Sequence, residues 1–302
     1  MPEYPDITIY IERLEAFLIG QTLQDVRIKH PFLLRTFDPP IGSIKGKQII
    51  GFRLMGKRII FIFPDEYFLI FHLMVAGRFH WKEKGAKITG KIGLAAFDFP
   101  NGTLLLNEAG SKKRASLHLI KGKDRLAYFD RGGLEIFEIS LAEFHERLVF
   151  ENHTLKRVLT DPSMFSGIGN AYSDEILHRA KLSPVLLSRK MSNDQIEKLF
   201  DAAKVVLNEW TEKLRKETGE NFPEKVTAFH ENMAVHGKFG KVCPECGTTV
   251  QRIRYVSNET NYCPKCQTGG KILADRSLSR LLKSDWPKSI EAMEEMNIKM
   301  KK

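Results

Sequence analysis

The chain of 302 residues has no long apolar run. Its longest patches, RIIFIF and YFLIFHLMVAG, fall short of the ~20 residues that a membrane-spanning helix needs. No membrane partner is expected. A secretory start is also missing: Glu3, Asp6, Glu12 and Glu15 stand where a basic stretch and an apolar stretch belong. The expected location is the cytoplasm, at the nucleoid if the source is bacterial. There is no internal repeat and no low-complexity tract. Cysteine is scarce, at four residues, and in a cytoplasmic protein these are metal ligands rather than disulfides. Acidic residues are in deficit, 37 against 47 Lys and Arg, for a net charge of +10. That excess points to a polyanionic partner, nucleic acid above all.

What is present divides by texture. Residues 6–19 carry Ile7, Tyr10, Ile11, Leu14, Phe17 and Leu18 at helical spacing, with Asp6 as N-cap and Gly20 as stop. From about 22 to 140, short β-rich runs follow: QIIGFRLMG, RIIFIF, YFLIFHLM, LAAFDF, TLLLNE, SLHLIK and LAYFD. Asn101-Gly102 between two of them signals a hairpin, and the spacing indicates a sandwich or barrel. Beyond 150 the pattern is helical. Asp161-Pro162 interrupts one helix, and Asn170 is expected to cap the next. Ser192 and Gln195 form a capping box that opens a long one. Residues 216–235 read as an irregular loop. Length alone suggests two domains; the changes of texture set boundaries at 1–140, 141–235, 236–272 and a 273–302 extension. The fold class is α+β and multidomain.

Cys243 and Cys246 are two residues apart, as are Cys263 and Cys266, with sixteen residues between the pairs. This spacing predicts one structural Zn2+ per chain, because four thiolates close a tetrahedral site and leave no open position. From 236 to 283, nine Lys and Arg face three Asp and Glu, a surface suited to phosphate. Gly167-Ile168-Gly169-Asn170 lies between helical segments. Its glycines allow close backbone approach, and the following helix start offers N–H groups to a phosphate.

Three motifs, in this order, resemble the formamidopyrimidine-DNA glycosylase and endonuclease VIII family of base-excision repair enzymes. PEYPDI resembles the family's P-E-x-P-E-[VI] start. LTDPSMFSGIGNAYSDEIL resembles its helix–two-turn–helix motif. HGKFGKVCPECG…YCPKCQ resembles its zinc finger. The resemblance spans about 2–268. It implies an N-terminal helix with a β-sandwich, a helical domain, a finger, and damaged or abasic double-stranded DNA in a cleft, bound by a monomer. It also implies a bifunctional glycosylase and abasic-site lyase. Pro2, freed by loss of Met1, would attack C1′. A free α-amino group titrates near ~8, so far more of it is neutral at pH 7 than of a lysine. The resulting iminium drives β-elimination of the 3′ phosphate, and a second elimination can follow. Glu3 matches the general acid. Lys57 matches a phosphate-contacting lysine, and Asn170 matches the asparagine that binds phosphate beside the flipped nucleotide.

Several positions depart from that pattern. Asn258 stands where the family's finger arginine belongs, and an amide cannot replace a bidentate guanidinium; Arg252, Arg254 or Lys265 are expected to compensate. In HLMVAG, Val75 fills the slot of the intercalating methionine, while Met74 sits one residue early in an expected strand or core position. Lys112, Lys113 and Arg114 replace the family's D-P-R-x-F-G turn, keeping charge but losing the aromatic wedge. The loop that caps an oxidised purine is not recognisable in 216–235. These changes leave the lesion open, and they also support an alternative reading as a damaged- or branched-DNA-binding protein without base excision.

Overall fold

In the computed structural model, which describes residues 1–300 apart from 225, 228, 256 and 257, the first apolar stripe forms helix α1 (Tyr4–Leu18). Ile7, Tyr10, Leu14 and Leu18 are buried along one face. Asp6 is not the N-cap, as the sequence suggested. The helix starts earlier, with Glu3 as N-cap and Asp6 at the third helical position, and the two form a reciprocal capping box. The Glu3 N–H donates to the Asp6 carboxylate at 2.8 Å. Pro5 permits the early start, because a first helical turn has no use for its missing N–H.

Eight strands follow: β1 (Asp25–Ile28), β2 (Gly51–Met55), β3 (Arg58–Phe63), β4 (Tyr67–His72), β5 (Gly77–Lys82), β6 (Gly93–Phe99), β7 (Gly102–Glu108) and β8 (Ser116–Lys121). They make two antiparallel sheets, ordered β1-β6-β7-β5 and β2-β3-β4-β8. Alternation explains their packing. Along β3, Ile59, Phe61 and Phe63 enter the main core, while Ile60 joins Met55, Phe68 and Ile70 in a smaller cluster on the other face. Phe71 of one sheet meets Phe79 and Phe97 of the other edge-on, at 5.1 and 5.2 Å between centroids. This is the sandwich alternative.

Local readings needed adjustment. LAYFD is not a strand: Leu126 and Ala127 end a short helix, α2 (Lys123–Ala127), that lays Leu126 on the smaller cluster. The β6–β7 turn is Pro100-Asn101, and Gly102 already pairs with Phe99. Glycine is required at 102, because a Cβ there would lie 2.3 Å from the Trp81 ring. Strands β1 and β5 escaped notice because both carry charge. Arg27 of β1 spends its charge on a bidentate pair with Asp98 of β6, at 2.6 and 2.8 Å.

These elements belong to the first of two compact units, Met1–Gly133 with Asn208–Ala228. The second unit comprises Leu134–Leu207 and Phe229–Lys302. It begins with α3 (Leu141–Phe150), α4 (Leu155–Thr160), α5 (Asn170–Arg179) and α6 (Asn193–Thr218), the last of which runs on into the first unit. Asp161 caps α4 as expected. Ser192 and Gln195 exchange their capping hydrogen bonds at 3.1 and 3.3 Å. Because α6 extends to Thr218, the irregular stretch starts later than 216. Next come the antiparallel hairpin of β9 (Gln251–Tyr255) and β10 (Asn258–Tyr262), then α7 (Pro264–Thr268), α8 (Arg276–Leu282) and α9 (Ile290–Met300). The segment after α7 returns to the hairpin: Asp275 accepts the Arg254 N–H, and the Tyr262 hydroxyl accepts the Leu273 N–H, both at 2.7 Å. No helix among the described residues is long and apolar enough to cross a membrane.

Candidate functional site

In the first unit, the chain start is tucked in. Pro2 is buried, and Glu3 is only 2% exposed. Burial holds the α-amino group of Met1 below its usual basicity. Arg78 and Lys57 push the same way, while Glu3 and Asp6 oppose them. Two cations therefore act on the terminus, one from a turn and one from the start of a strand. Lys57 sits with Gly56 in the two-residue link between β2 and β3. Arg78 lies at the start of β5 and donates to the carbonyls of Gly77 (2.6 Å) and Val75 (3.3 Å).

Met74 and Val75 are in the β4–β5 turn rather than in a strand, so face alternation does not decide their roles. Met74 is half-buried in left-handed backbone at φ +54°, and Val75 is 54% exposed at the tip. Gly77 sets this geometry, since a Cβ there would come within 2.2 Å of the Leu73 carbonyl oxygen. The β7–β8 loop carries the basic run. Its three members are not equivalent. Lys113 folds back onto the carbonyls of Gly110 (3.0 Å) and Glu108, whereas Lys112 and Arg114 are exposed. Buried Glu108 shapes the loop by accepting N–H groups of Arg114 and Ala115 at 2.9 and 3.1 Å.

The sequence reading did not single out His72 or His118. Arg58 lies opposite His72 in the β3–β4 ladder. Burial, and then Arg58 and Lys57, press His72 down to about 4, and His118 is lowered by burial and Arg58. The histidine of HLMVAG was the available signal.

In the second unit, Gly167 takes φ +75°. Gly169, not Asn170, is the N-cap of α5, and Asn170 is its first helical residue. That frees the Asn170 side chain to donate to the Glu259 carbonyl of β10 at 2.9 Å. Behind it, the Lys156 ammonium donates to the Asn170 carbonyl (2.6 Å), to Ser173 Oγ (2.8 Å) and to Asp174. Buried Asp174 also pairs with His236 Nδ1 at 2.8 Å and accepts the Asn261 N–H at 3.2 Å. Glu175 accepts three consecutive N–H groups, from Ala234, Val235 and His236, at 2.7, 2.9 and 2.9 Å. Burial raises its proton affinity, against those hydrogen bonds. The pattern YSDEIL concealed this network because both acids sit on an otherwise ordinary helix.

One groove, of about 490 Å³, brings Asn170 and Asn258 together, with Arg157, Thr154 and Thr260 in its lining. Asn258 is exposed at the start of β10. Arg252 is engaged: it pairs with Glu259 at 3.1 Å and stacks over Phe239 at 4.0 Å. Arg254 and Lys265 are both exposed. The four cysteine sulfurs lie within 4.8 Å of one another. Zn–S bonds of roughly 2.3 Å imply sulfur–sulfur edges of roughly 3.8 Å. Cys246–Cys263 and Cys243–Cys266 measure 3.4 and 3.9 Å, so the set fits a closed tetrahedral zinc site.

Family models cover these regions in chain order. Residues 1–120 match the formamidopyrimidine-DNA glycosylase N-terminal domain, 135–219 its H2TH domain, and 240–269 the zinc finger found in FPG and IleRS. An uncharacterized formamidopyrimidine-DNA glycosylase-like protein of Mycobacterium tuberculosis is 39% identical over 151 residues, 50% of this chain and 94% of that one. The chain belongs to the formamidopyrimidine-DNA glycosylase family. It is thus a base-excision repair enzyme, a DNA glycosylase with abasic-site lyase activity, and its four cysteines hold a structural zinc. The formamidopyrimidine-DNA glycosylase of Mycoplasmopsis pulmonis is 27% identical over 273 residues, 88% of this chain and 98% of that one. Among solved structures, Lactococcus lactis Fpg with abasic-site DNA matches at TM-score 0.78, with 25% identity over 88% of this chain and 99% of that one. MutM with DNA containing carbocyclic 8-oxo-G matches at 0.77, with 26% identity over 88% and 100%.

Proposed function

We propose that Pro2, once Met1 is removed, is the nucleophile, with Glu3 as general acid and Lys57 as the phosphate anchor beside it. The observation that carries this reading is the buried Pro2 beside the buried Glu3 carboxylate, at a chain start on which Lys57 and Arg78 both act. The neutral amine attacks C1′ of the damaged nucleotide, and the bond to the base breaks. Glu3 gives a proton to the sugar ring oxygen as the ring opens, leaving an iminium between nitrogen and C1′. Loss of the C2′ proton then pushes electrons into the iminium and expels the 3′ phosphate. Water finally hydrolyses the iminium and returns the free amine.

The partner is double-stranded DNA carrying damaged bases or abasic sites. Val75, at an exposed turn tip, fills the space of the extruded nucleotide, with Met74 beside it. Lys112 and Arg114 grip phosphate, while Lys113 holds their loop. The Gly167–Asn170 turn takes the phosphate next to the flipped nucleotide. Arg254, exposed on the finger hairpin, supplies charge near Asn258. Without the finger arginine and the aromatic wedge, abasic sites and oxidised pyrimidines suit this chain better than an oxidised purine. The protein acts as a cytoplasmic monomer.

Borohydride should trap the protein covalently on an abasic-site duplex, after intact mass has verified loss of Met1. Pro2→Gly should lower trapping at least tenfold, and Glu3→Gln should slow base release more than strand cleavage at a preformed abasic site. Salt-sensitive binding with no trapping by processed wild-type protein would overturn the assignment and favour a binding-only scaffold.

A further inference from the structure

Helix α5 bears a histidine that neither the phosphate-binding turn nor the four-cysteine set uses. His178 lies in its last turn, 3% exposed, with Nε2 3.3 Å from Cys243 Sγ. Its other nitrogen, Nδ1, is 3.7 Å from Glu245 Oε1, too long for a hydrogen bond. Glu245 lies between the first two zinc ligands and is engaged by Lys181. The end of α5 therefore touches the metal centre at a ligand sulfur and at the turn that shapes that ligand pair.

We infer that His178 is a positioning residue of the zinc centre, donating Nε2–H to the Cys243 thiolate and slowing release of the metal. Four thiolates around one Zn2+ carry a net charge of −2, and water cannot relieve it at a sulfur as buried as Cys243, which is 2% exposed. A donor aimed at the sulfur spreads that charge and makes the thiolate a poorer base and nucleophile. Partners of this kind orient ligands and tune a metal as the ligands themselves do. The distance suits an N–H···S bond, and Cys243 selects the tautomer with its proton on Nε2. Glu245 does not compete for the ring, because it lies beyond hydrogen-bond reach of Nδ1 and is held by Lys181. His178 is thus part of the centre without being a ligand.

The test is zinc transfer from the full-length protein to a chromogenic chelator, read as a rate. His178→Phe keeps the ring volume and removes the donor. It should release zinc about 10-fold faster or more, from a protein that still purifies with one zinc and native helix content. His178→Gln, which restores an N–H, should recover a large part of the difference. In the cobalt-substituted protein, the thiolate-to-metal charge-transfer band should shift in His178→Phe and return toward wild type in His178→Gln. Wild-type release and an unshifted band in His178→Phe would overturn the inference. Equal acceleration in both variants, with the band unmoved, would reduce His178 to packing and overturn it too.

Discussion

The two units hold their proposed functional residues by different means. In the first, Pro2, Glu3, Lys57 and Val75 stand on the chain start and on short turns, and what lies beneath is apolar: a sandwich core with Phe61, Phe71, Phe79 and Phe97. In the second, the Gly167–Asn170 turn and the finger hairpin rest on buried charge, with Asp174 and Glu175 gathering donors from α4, from the segment before the finger and from β10. An apolar core loses contacts gradually, one side chain at a time. A buried ionic hub fails abruptly, because removing one member strands the others in low dielectric.

The sharpest way to break the comparison is Asp174→Ala. It leaves Lys156, His236 and the Asn261 N–H without their shared acceptor, and should cost about 3–5 kcal/mol. Denaturant melts followed by hydrogen exchange should show the loss in the second unit, with strands of the first unit still protected. A loss shared equally by both units would erase the distinction.

In the first unit acid acts through His72. His72 has an ordinary value of 6.5 and is pressed down to about 4 in the fold, so the folded state favours its neutral form. Its contribution is whole above pH 6.5 and is lost as pH falls toward 4, amounting to about 3 kcal/mol at most. Stability measured from pH 7 to 4.5 should fall less steeply in His72→Gln. A wild-type curve that is flat over this range would contradict the assignment.

The smallest effect belongs to Val75→Ala. The side chain is 54% exposed, so unfolding should change by no more than about 0.5 kcal/mol. Processing of a lesion in duplex DNA should slow nonetheless, while trapping on a single-stranded abasic site stays near wild type. A melting shift of several degrees would make Val75 a structural residue.

Much of this was legible beforehand wherever a physical signal is local. Cysteine spacing, the β-rich run RIIFIF and the Ser192–Gln195 box depend on a few neighbouring residues, and each was read correctly. Signals failed where a partner is distant. DVRI and GRFHWK did not read as strands, because the pairing of Arg27 with Asp98 is visible only across the sheet. LAYFD looked like a strand until Leu126 was seen to reach the smaller cluster from a helix.

By itself, the sequence determined the order of the parts, the four zinc ligands and the family, since these rest on residue type and spacing along the chain. Tertiary structure alone decided what each charged group is free to do. It turned Lys113 onto its own loop, engaged Arg252 with Glu259 and Phe239, and gave Asn170 a carbonyl on β10. It also put His178 against a ligand sulfur. The reason is that a charge or a donor acts through whatever lies within a few ångströms, and those neighbours come from anywhere in the chain.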